Sequence, residues 1–295
     1  MEFKYIITDS DESIKQILKN KFNMSERYIL KLKKNKLIKI NNIPVNINYQ
    51  IKKGDILYIR DNIEEDSSNI VPNPSIEINI LYEDPYLLIV DKPANLPVHP
   101  SILHYETSLS NGIKSYFEQI NLNKKIRPVN RLDKDTSGIV IFAKNEYIQE
   151  CLVKQMKLNT FKKYYIAILN GILEEKEGTI NVPISRKENS IIERTVSKSG
   201  EKSITHYKVI NYIAPNMSLV EFLLETGRTH QIRVHTKYIG HPILGDSLYG
   251  STSSRISRQA LHSYKIEFKH PVSKKHIIIK TSLPKDMESI INNYP

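Results

Sequence analysis

Two acidic side chains stand two positions apart in the densest polar segment of the sequence, R-P-V-N-R-L-D-K-D-T-S-G, which covers residues 127–138. Asp133 and Asp135 are followed by Thr, Ser and Gly, after which the apolar run I-V-I-F-A begins. A carboxylate in a tight loop beside a strand can act as a nucleophile or as a base. The same residue types also form turns whose side chains cap their own backbone, so this segment alone leaves both interpretations open.

A second polar segment, E-T-G-R-T-H-Q-I-R-V-H, covers residues 225–235. Gly227 can end a strand and Thr229 can begin a helix, which would gather several hydrogen-bonding side chains at the helix start. Such a cluster favours the binding of an anion or the fixing of a carboxylate. His230 and His235 are five positions apart, whereas paired zinc-binding histidines on a helix are four apart, so no metal site is predicted.

A third segment, F-K-K-Y-Y-I-A-I-L-N-G, covers residues 161–171 and is typical of a strand. Alternation along a strand puts Lys163, Tyr165 and Ala167 on one face and Tyr164 on the other. The ring of Tyr165 could then stack on a nucleic-acid base. Tyrosine is common in strands and the chain has 17 of them, so this segment is weak evidence by itself.

The elements that must position these segments predict an α+β fold. Beyond about residue 76, strand-like runs alternate with turns, and the fewer helical stretches include about 108–118, 146–158 and 229–238. Many strands with few helices indicate a mixed, mainly antiparallel sheet. The first 60 residues predict a small α-β unit, with a helix that begins at Ser25 and a hairpin that turns at Asn41–Asn42.

Charge divides the chain into regions. Residues 1–60 carry 13 basic and 6 acidic residues, and residues 61–77 carry 5 acidic residues and no basic one. The acidic stretch 61–75 also contains two prolines, so we predict a domain over 1–60, a linker over 61–75 and a second domain over 76–295. The net charge of +11 favours a polyanionic partner such as RNA.

Composition excludes several classes of protein. No run of about 18 apolar residues could span a membrane, and the polar N-terminal segment does not resemble a secretion signal. The single cysteine, Cys151, cannot form an internal disulfide or a cysteine-based zinc site. No glycine-rich phosphate loop is present. We therefore expect a monomeric cytoplasmic protein without a cofactor or a metal.

Together, the three segments resemble one family. The motifs R-L-D-K-D-T-S-G, K-x-Y-x-A-x-x-x-G, T-G-R-T-H-Q-I-R-V-H, H-P-I-L-G-D-x-x-Y-G and L-H-S-Y-x-x-x-F-x-H-P occur in the order typical of RluA/RluD-type pseudouridine synthases. This resemblance covers about residues 76–285, and residues 11–60 resemble the S-four-type RNA-binding domain that often precedes the catalytic domain. Two positions depart from the pattern: Asn130 stands where His is usual, and Ser263 where Ala is usual.

The resemblance implies an enzyme that converts uridine to pseudouridine in structured RNA. It breaks the glycosidic bond, rotates the uracil and rejoins it through carbon five, after flipping the nucleotide out of its stack. By resemblance, Asp133 is the catalytic carboxylate, Arg233 pairs with it, and Tyr165 stacks on the flipped uracil.

The resemblance also implies RNA contacts. Arg131 would fill the gap left by the flipped base, and Leu261 would pack beneath the base. Arg228 and His230 would either contact phosphates or support the residues that touch the substrate. On the helix predicted after Ser25, the outer basic residues are expected to bind RNA as well; these are Arg27, Lys31 and Lys34.

The target RNA and two rival functions stay open. The two-domain layout favours large-subunit ribosomal RNA, with tRNA or several RNA sites as the alternative. One rival is a non-catalytic RNA-binding or ribosome-assembly factor. The presence of the Asp, Tyr and Arg expected at the site argues against it. An aspartyl-phosphate phosphotransferase is the other, although Ser137 occupies the Thr position of its D-x-D-x-T motif. Dependence on magnesium would identify it.

Overall fold

The computed structural model describes residues 2–8, 11–60 and 69–293. The predicted linker over 61–75 therefore lies mainly outside the described residues, and its remaining part, 69–75, contains no helix or strand. We refer to residues 2–60 as the N-terminal unit and to residues 69–293 as the C-terminal unit.

The N-terminal unit contains an antiparallel four-stranded sheet and two helices. Its elements are β1 (Glu2–Ile6), α1 (Ile14–Asn20), α2 (Glu26–Lys34), β2 (Ile38–Ile40), β3 (Ile43–Pro44) and β4 (Ile56–Arg60), and the strand order is β1-β4-β2-β3. The Ser25 hydroxyl accepts a hydrogen bond from the backbone N–H of Tyr28 at 3.1 Å. This N-cap satisfies a donor that the helix leaves open, so α2 begins where the sequence predicts.

The predicted hairpin turn at Asn41–Asn42 is confirmed. These two residues join β2 to β3 with φ angles of 50° and 66°, in the left-handed region that asparagine tolerates. The Asn41 side chain fixes the turn: its Oδ1 accepts the backbone N–H of Ile56 at 2.9 Å, and its Nδ2 donates to Asp55 at 2.9 Å. The turn is thereby tied to the start of β4.

The C-terminal unit is built on a nine-stranded sheet, with a two-stranded sheet beside it. Its strands are β5 (Asn79–Glu83), β6 (Leu87–Lys92), β7 (Ser137–Ala143), β8 (Lys162–Asn170), β9 (Glu177–Asn181), β10 (Ile184–Arg186), β11 (Arg194–Val196), β12 (Ile204–Ile213), β13 (Met217–Leu224), β14 (Leu261–Lys269) and β15 (His276–Lys280). The large sheet has the order β5-β6-β7-β14-β8-β13-β12-β9, and β15 also pairs with β14. Among its described strands only β7 and β14 pair in parallel, so the predicted α+β class and mixed, mainly antiparallel sheet are confirmed.

Four helices complete this unit: α3 (Leu109–Gln119), α4 (Glu146–Lys157), α5 (Gln231–Tyr238) and α6 (Lys285–Asn293). The first two match the predicted ranges. Helix α5 begins two residues later than the expected Thr229, because His230 has a φ of 59° and cannot belong to a right-handed helix. Helix α6 and the β10–β11 hairpin are not predicted from the sequence. None of the helices within the described ranges is long and apolar enough to cross a membrane.

The two units pack against each other at α4. The Tyr147 ring lies edge-on to Phe3 at a centroid distance of 5.1 Å, and its hydroxyl donates to the carbonyl oxygen of Phe22 at 2.8 Å. The Lys31 ammonium lies 3.0 Å from the Glu146 carboxylate. Buried residues of both units belong to one hydrophobic cluster. The sequence predicts two units joined by a linker, whereas the structure also joins them through a shared core; the domain boundaries themselves stay a prediction.

Candidate active site

A cleft of about 810 Å³ in the C-terminal unit brings together seven of the predicted site residues. Its lining includes Arg131, Asp133, Tyr165, Arg228, His230, Arg233 and Leu261. These side chains come from the loop before β7, from strands β8 and β14, and from α5 with the segment that leads into it. The three segments that the sequence analysis singles out therefore meet at one place, although Asp133 and Arg233 are 100 positions apart in the chain.

The loop that carries Asp133 is tied to β7 by Asn130. The Asn130 Nδ2 donates to the carbonyl oxygen of Ile139 at 3.0 Å, and its Oδ1 accepts the backbone N–H of Ile141 at 2.9 Å. The side chain is buried, so both of its polar atoms need these partners. The residue at which this chain departs from the family pattern thus holds the loop to the neighbouring strand.

Lys92, at the end of β6, also holds the loop that carries Asp133. Its ammonium group is fully buried and donates to three carbonyl oxygens, those of Pro93 at 2.8 Å, Leu96 at 2.8 Å and Lys134 at 2.9 Å. Burial lowers the pKa of Lys92, and the negative charge of Asp135 opposes this shift. Because Lys134 follows Asp133 directly, the bond to its carbonyl oxygen fixes the backbone beside the carboxylate.

Arg258 ties the other end of this loop to the last helix. Its Nη1 donates to the carbonyl oxygen of Asp135 at 3.1 Å, while its Nε and Nη2 form a bidentate pair with Asp286 of α6 at 2.7 and 2.9 Å. A planar guanidinium matches a carboxylate in this two-bond geometry. The unpredicted helix α6 therefore contributes to the position of the loop.

Arg233 connects Asp133 to a second carboxylate. Its Nη1 lies 3.2 Å from Oδ2 of Asp133, whose side chain is 27% exposed. Its Nε and Nη2 donate to Asp246 at 2.7 and 2.8 Å, and the Asp246 side chain is completely buried. Although burial alone favours the neutral guanidine, the hydrogen bonds and charges of the two carboxylates raise the pKa of Arg233. The structure thus places Arg233 and Asp133 in contact, as the resemblance implies.

Gln231 fixes the start of α5 and with it the direction of Arg233. Its Oε1 accepts the backbone N–H of Arg228 at 2.9 Å, and its Nε2 donates to the carbonyl oxygen of Ile204 at 3.0 Å and to the hydroxyl of Thr205 at 2.9 Å. These bonds attach the helix to β12. The histidine at position 235 also contacts Thr205, through Nδ1 at 2.9 Å, and is fully buried, so it supports the helix and does not line the cleft.

Tyr165 and Leu261 form the apolar side of the cleft. Tyr165 lies on β8 and is only 7% exposed, and Leu261 begins β14 opposite Ala167 of β8. Burial and the nearby charge of Asp133 raise the pKa of Tyr165 to about 12, so the phenol keeps its proton at neutral pH. A flat, largely desolvated ring beside an aliphatic side chain suits the packing of a base.

Positive charge dominates the rest of the lining. The cationic residues are Arg131, Lys163, Arg194, Arg228 and Arg233, and Asp133 is the acidic one. Burial lowers the pKa of Lys163. Arg194 lies on β11, an element absent from the sequence-based prediction, and Arg228 is paired with Glu201 at 2.8 Å. The surplus of cations around one carboxylate suits a polyanion that must bring its sugar close to Asp133.

The three basic residues predicted on α2 lie outside this cleft. Lys31 and Arg27 face Glu146 of α4 at 3.0 and 3.5 Å, and the Lys34 side chain is exposed. Arg27 nevertheless keeps 87% of its side chain accessible. The charge pattern of an amphipathic helix does not distinguish an RNA phosphate from a carboxylate on another element, so sequence alone could not separate these cases.

Asp246 and Tyr249 are the residues that the sequence analysis quotes in a motif but assigns no role. Both belong to H-P-I-L-G-D-x-x-Y-G, and both are at least 96% buried. The signal that could have identified them is a pair of polar side chains three positions apart in a short turn between glycines. Their contacts to Arg233 and His230 become visible only once the turn folds against α5.

Comparisons with known proteins identify the family. Residues 86–238 match the family model for RNA pseudouridylate synthase. The chain is 40% identical over 279 residues to RNA pseudouridine synthase YhcT of Bacillus subtilis, covering 94% of this chain and 92% of that protein. It is 36% identical to ribosomal large subunit pseudouridine synthase D of Buchnera aphidicola, covering 96% and 94%.

A solved structure agrees with this fold. The human protein RNA pseudouridylate synthase domain containing 1 superposes with a TM-score of 0.59 and 25% identity, over 72% of this chain and 85% of that one. Motifs, fold and sequence similarity coincide on the unit that holds the cleft. The chain belongs to the RNA pseudouridine synthases of the RluA/RluD type.

Proposed function

We propose that this enzyme isomerises uridine in structured RNA of the large ribosomal subunit, with Asp133 as its catalytic carboxylate. One observation carries the assignment: Asp133 is the acidic residue in a cleft lined by five cationic side chains, and Arg233 contacts it at 3.2 Å. A carboxylate fixed in this way stands beside the sugar of a bound nucleotide whose phosphates the cations hold. It then attacks the substrate as a nucleophile or removes a sugar proton as a base.

The other cleft residues receive roles from their surroundings. The protonated, buried ring of Tyr165 stacks on the flipped uracil, and Leu261 packs on the same base. Arg131, which is exposed at the rim two residues from Asp133, enters the space that the base leaves in the RNA stack. Arg228, which is partly exposed, lies beside the path of the RNA backbone, and His230 lies next to Asp133. No cofactor takes part in this scheme, because the reaction exchanges one bond to uracil for another.

The N-terminal unit is proposed to bind RNA as an S-four-type domain. Its 13 basic residues against 6 acidic ones, the N-capped helix α2 and the Asn41–Asn42 hairpin support this role. Exposed basic side chains on α2, of which Lys34 is one, are suited to contact phosphates. Docked on α4, the unit would extend the basic surface at a fixed position relative to the cleft.

The choice of ribosomal RNA is supported by relatives. The Buchnera protein, which aligns over almost the whole chain, is named a ribosomal large subunit pseudouridine synthase, and so is a Nitrosomonas europaea protein with 38% identity. We carry this substrate over to the present chain as a proposal, to be tested against tRNA.

The test compares two aspartates of one loop. Purified wild type, Asp133→Asn and Asp135→Asn are incubated with large-subunit ribosomal RNA and, separately, with tRNA, in EDTA, and pseudouridines are mapped. We expect site-specific product in ribosomal RNA with wild type and Asp135→Asn, and none with Asp133→Asn, because Asp135 does not line the cleft. RNA affinity should change little.

Three results would contradict the proposal. Substantial turnover by Asp133→Asn, after deamidation has been excluded by mass spectrometry, would remove Asp133 from the chemistry. Pseudouridine formed in tRNA and not in ribosomal RNA would show that tRNA is the substrate. A strict requirement for magnesium with a folded RNA would favour phosphoryl transfer instead.

A further inference from the structure

We propose that Tyr249 sets the tautomer of His230, so that the Nε2–H of His230 faces Asp133 and, with Arg233, holds one oxygen of that carboxylate. His230 is then a positioning residue for the catalytic group, and Tyr249 positions His230 in turn. The inference rests on the proposed role of Asp133. It concerns a chain of contacts that runs from β11 through the turn after α5 to the cleft.

The chain of contacts begins at the backbone of β11. The backbone N–H of Arg194 donates to the Tyr249 hydroxyl oxygen at 2.7 Å. The same oxygen lies 2.8 Å from Nδ1 of His230, and the two rings meet edge to face at a centroid distance of 5.5 Å. Tyr249 is 4% exposed, so its hydroxyl has these partners in place of water.

The direction of the second bond follows from counting protons. A phenol has one proton to donate, and an amide N–H can only donate, so Tyr249 is the acceptor in its bond with Arg194. Its own proton needs an acceptor, and Nδ1 of His230 is the partner at hydrogen-bond distance. Nδ1 therefore carries a lone pair, and the single proton of a neutral imidazole resides on Nε2.

The surroundings of His230 favour the neutral form of its imidazole. Burial lowers the pKa of His230, and the positive charges of Arg233 and Arg194 lower it further. The carboxylates of Asp133 and Asp246 oppose this shift. A neutral imidazole has two tautomers, and the contact with Tyr249 selects the one that carries its proton on Nε2.

The other ring nitrogen points at the catalytic carboxylate. Nε2 of His230 lies 3.8 Å from Oδ2 of Asp133, and Nη1 of Arg233 lies 3.2 Å from the same oxygen. Catalytic hydrogen bonds are often long before the substrate binds and shorten in the complex. In the part of the chain that the structure describes, Oδ1 of Asp133 has no hydrogen-bond partner. Both groups therefore approach the same oxygen, the Arg233 guanidinium within hydrogen-bond distance and the His230 ring slightly beyond it, and Oδ1 is left for the substrate.

The backbone helps to aim the ring. His230 adopts a φ of 59°, a left-handed conformation that costs most side chains free energy and that His and Asn tolerate better. It immediately precedes α5, which carries Arg233. The two groups that face Oδ2 are thus set by one helix start, and Tyr249 contacts both, since the Arg233 guanidinium carbon lies 5.0 Å from its ring centroid.

The direct test is spectroscopic and needs no substrate. Long-range proton–nitrogen NMR of protein with nitrogen-15-labelled histidine distinguishes the two tautomers, and His230→Asn identifies the signals of residue 230. We expect the Nε2–H tautomer in wild type and in Tyr238→Phe, a control whose tyrosine is exposed on α5. Tyr249→Phe should show the Nδ1–H form or a mixture. An Nδ1–H tautomer in wild type overturns the proposal even if Tyr249→Phe does not fold.

The kinetic test uses two amides. In His230→Gln the amide nitrogen can reach the position of Nε2, whereas in His230→Asn it reaches only that of Nδ1, although Asn suits the left-handed backbone better. We expect kcat to fall by roughly one to two orders of magnitude in the Asn variant, and by less in the Gln variant, as for loss of a hydrogen bond to a charged group. Equal kcat values for Asn and wild type would remove His230 from the positioning of Asp133.

These outcomes separate the inference from the proposed function. If Asp133→Asn stays active, the role of Asp133 fails whatever the tautomer of His230. If Asp133→Asn is inactive and wild type shows Nδ1–H at His230, the proposed function stands and only the contact chain through Tyr249 is wrong.

Discussion

Asp246 holds Arg233 by two of its nitrogens and leaves the third for the substrate cleft. Oδ2 of Asp246 accepts from Nε at 2.7 Å, and Oδ1 accepts from Nη2 at 2.8 Å. Oδ1 also accepts the backbone N–H groups of Leu248 and Tyr249, each at 3.1 Å. The carboxylate is therefore fixed by its own turn, and it fixes the plane of the guanidinium whose Nη1 contacts Asp133.

The first prediction concerns this buried pair. Asp246→Asn keeps the shape of the side chain but removes the charge that offsets Arg233 in a water-excluded position. Breaking a buried ion pair from one side typically costs about 3–5 kcal/mol, so the free energy of unfolding should fall by an amount of this order. Because Arg233 also loses its orientation, turnover should fall as well.

Denaturant unfolding and pseudouridine assays measure both effects. Glu201→Gln is the matched control, because it removes the ion pair between Glu201 and Arg228. The Glu201 side chain is 70% exposed, and exposed ion pairs contribute about 0–1 kcal/mol to stability. Equal stability of Asp246→Asn and Glu201→Gln would mean that Asp246 does not anchor Arg233.

The second prediction concerns Asp133 and Arg233 themselves. In a double-mutant cycle with Asp133→Ala and Arg233→Ala, the stability losses should depart from additivity by about 0.5–3 kcal/mol, as expected for groups in direct contact. Arg233→Lys should also impair the enzyme, because a single ammonium cannot serve Asp246 by two bonds and Asp133 by a third. Additive losses in the cycle would shift the partner role to another arginine of the cleft.

The sequence predicts the residues of the cleft better than the groups that hold them in place. Asp133, Tyr165 and Arg233 belong to motifs whose combination and order along the chain resemble one family, and that resemblance, not any single segment, predicts their roles. Two of the supports are Lys92 and Arg258, each of which donates a hydrogen bond to a backbone carbonyl oxygen of a residue far away in the chain. A carbonyl oxygen has no sequence signature, so such partners appear only in the folded structure.

The same limit applies to the arrangement of elements. Apolar spacing predicts α2, the Asn41–Asn42 pair predicts the hairpin turn, and the many strands with few helices predict the antiparallel character of the large sheet. It does not reveal that α2 faces α4, because Lys31 and Glu146 each read as an exposed charge until the two helices meet. The β10–β11 hairpin is likewise too short to show a clear alternation, and Arg194 of the cleft is missed with it.

The third prediction is a pH dependence that arises from His262. This residue lies on β14 beside Ser137 of β7, with its Nδ1 at 2.9 Å from the Ser137 hydroxyl oxygen. Burial, followed by the charge of Arg258, lowers the pKa of His262 to about 4. The unfolded chain binds this proton near pH 6.5, so the unfolded state takes up more protons between pH 6.5 and 4.

The sign and the test follow from that difference. The stability contribution is fully present above pH 6.5 and is lost as the pH falls to 4, by roughly 3 kcal/mol for a shift of this size. The free energy of unfolding of His262→Gln should therefore depend less steeply on pH in this window than that of wild type. His276→Gln, at an exposed position on β15, is the control. Parallel curves for wild type and His262→Gln would show that His262 titrates alike in both states.

The last prediction concerns the contact between the two units. If Phe3 and Tyr147 pack as the structure places them, at 5.1 Å and edge to face, the units unfold together and the two rings are energetically coupled. Phe3→Leu and Tyr147→Leu should then show a coupling energy of about 0.5–1.5 kcal/mol in a double-mutant cycle on the full chain. The matched control is a second cycle that combines Phe3→Leu with Phe117→Leu. Phe117 belongs to a separate hydrophobic cluster of the C-terminal unit, so these losses should be additive. Two separate unfolding transitions, or additive losses for Phe3 and Tyr147, would mean that the N-terminal unit is only tethered, and its proposed RNA contacts would then move independently of the cleft.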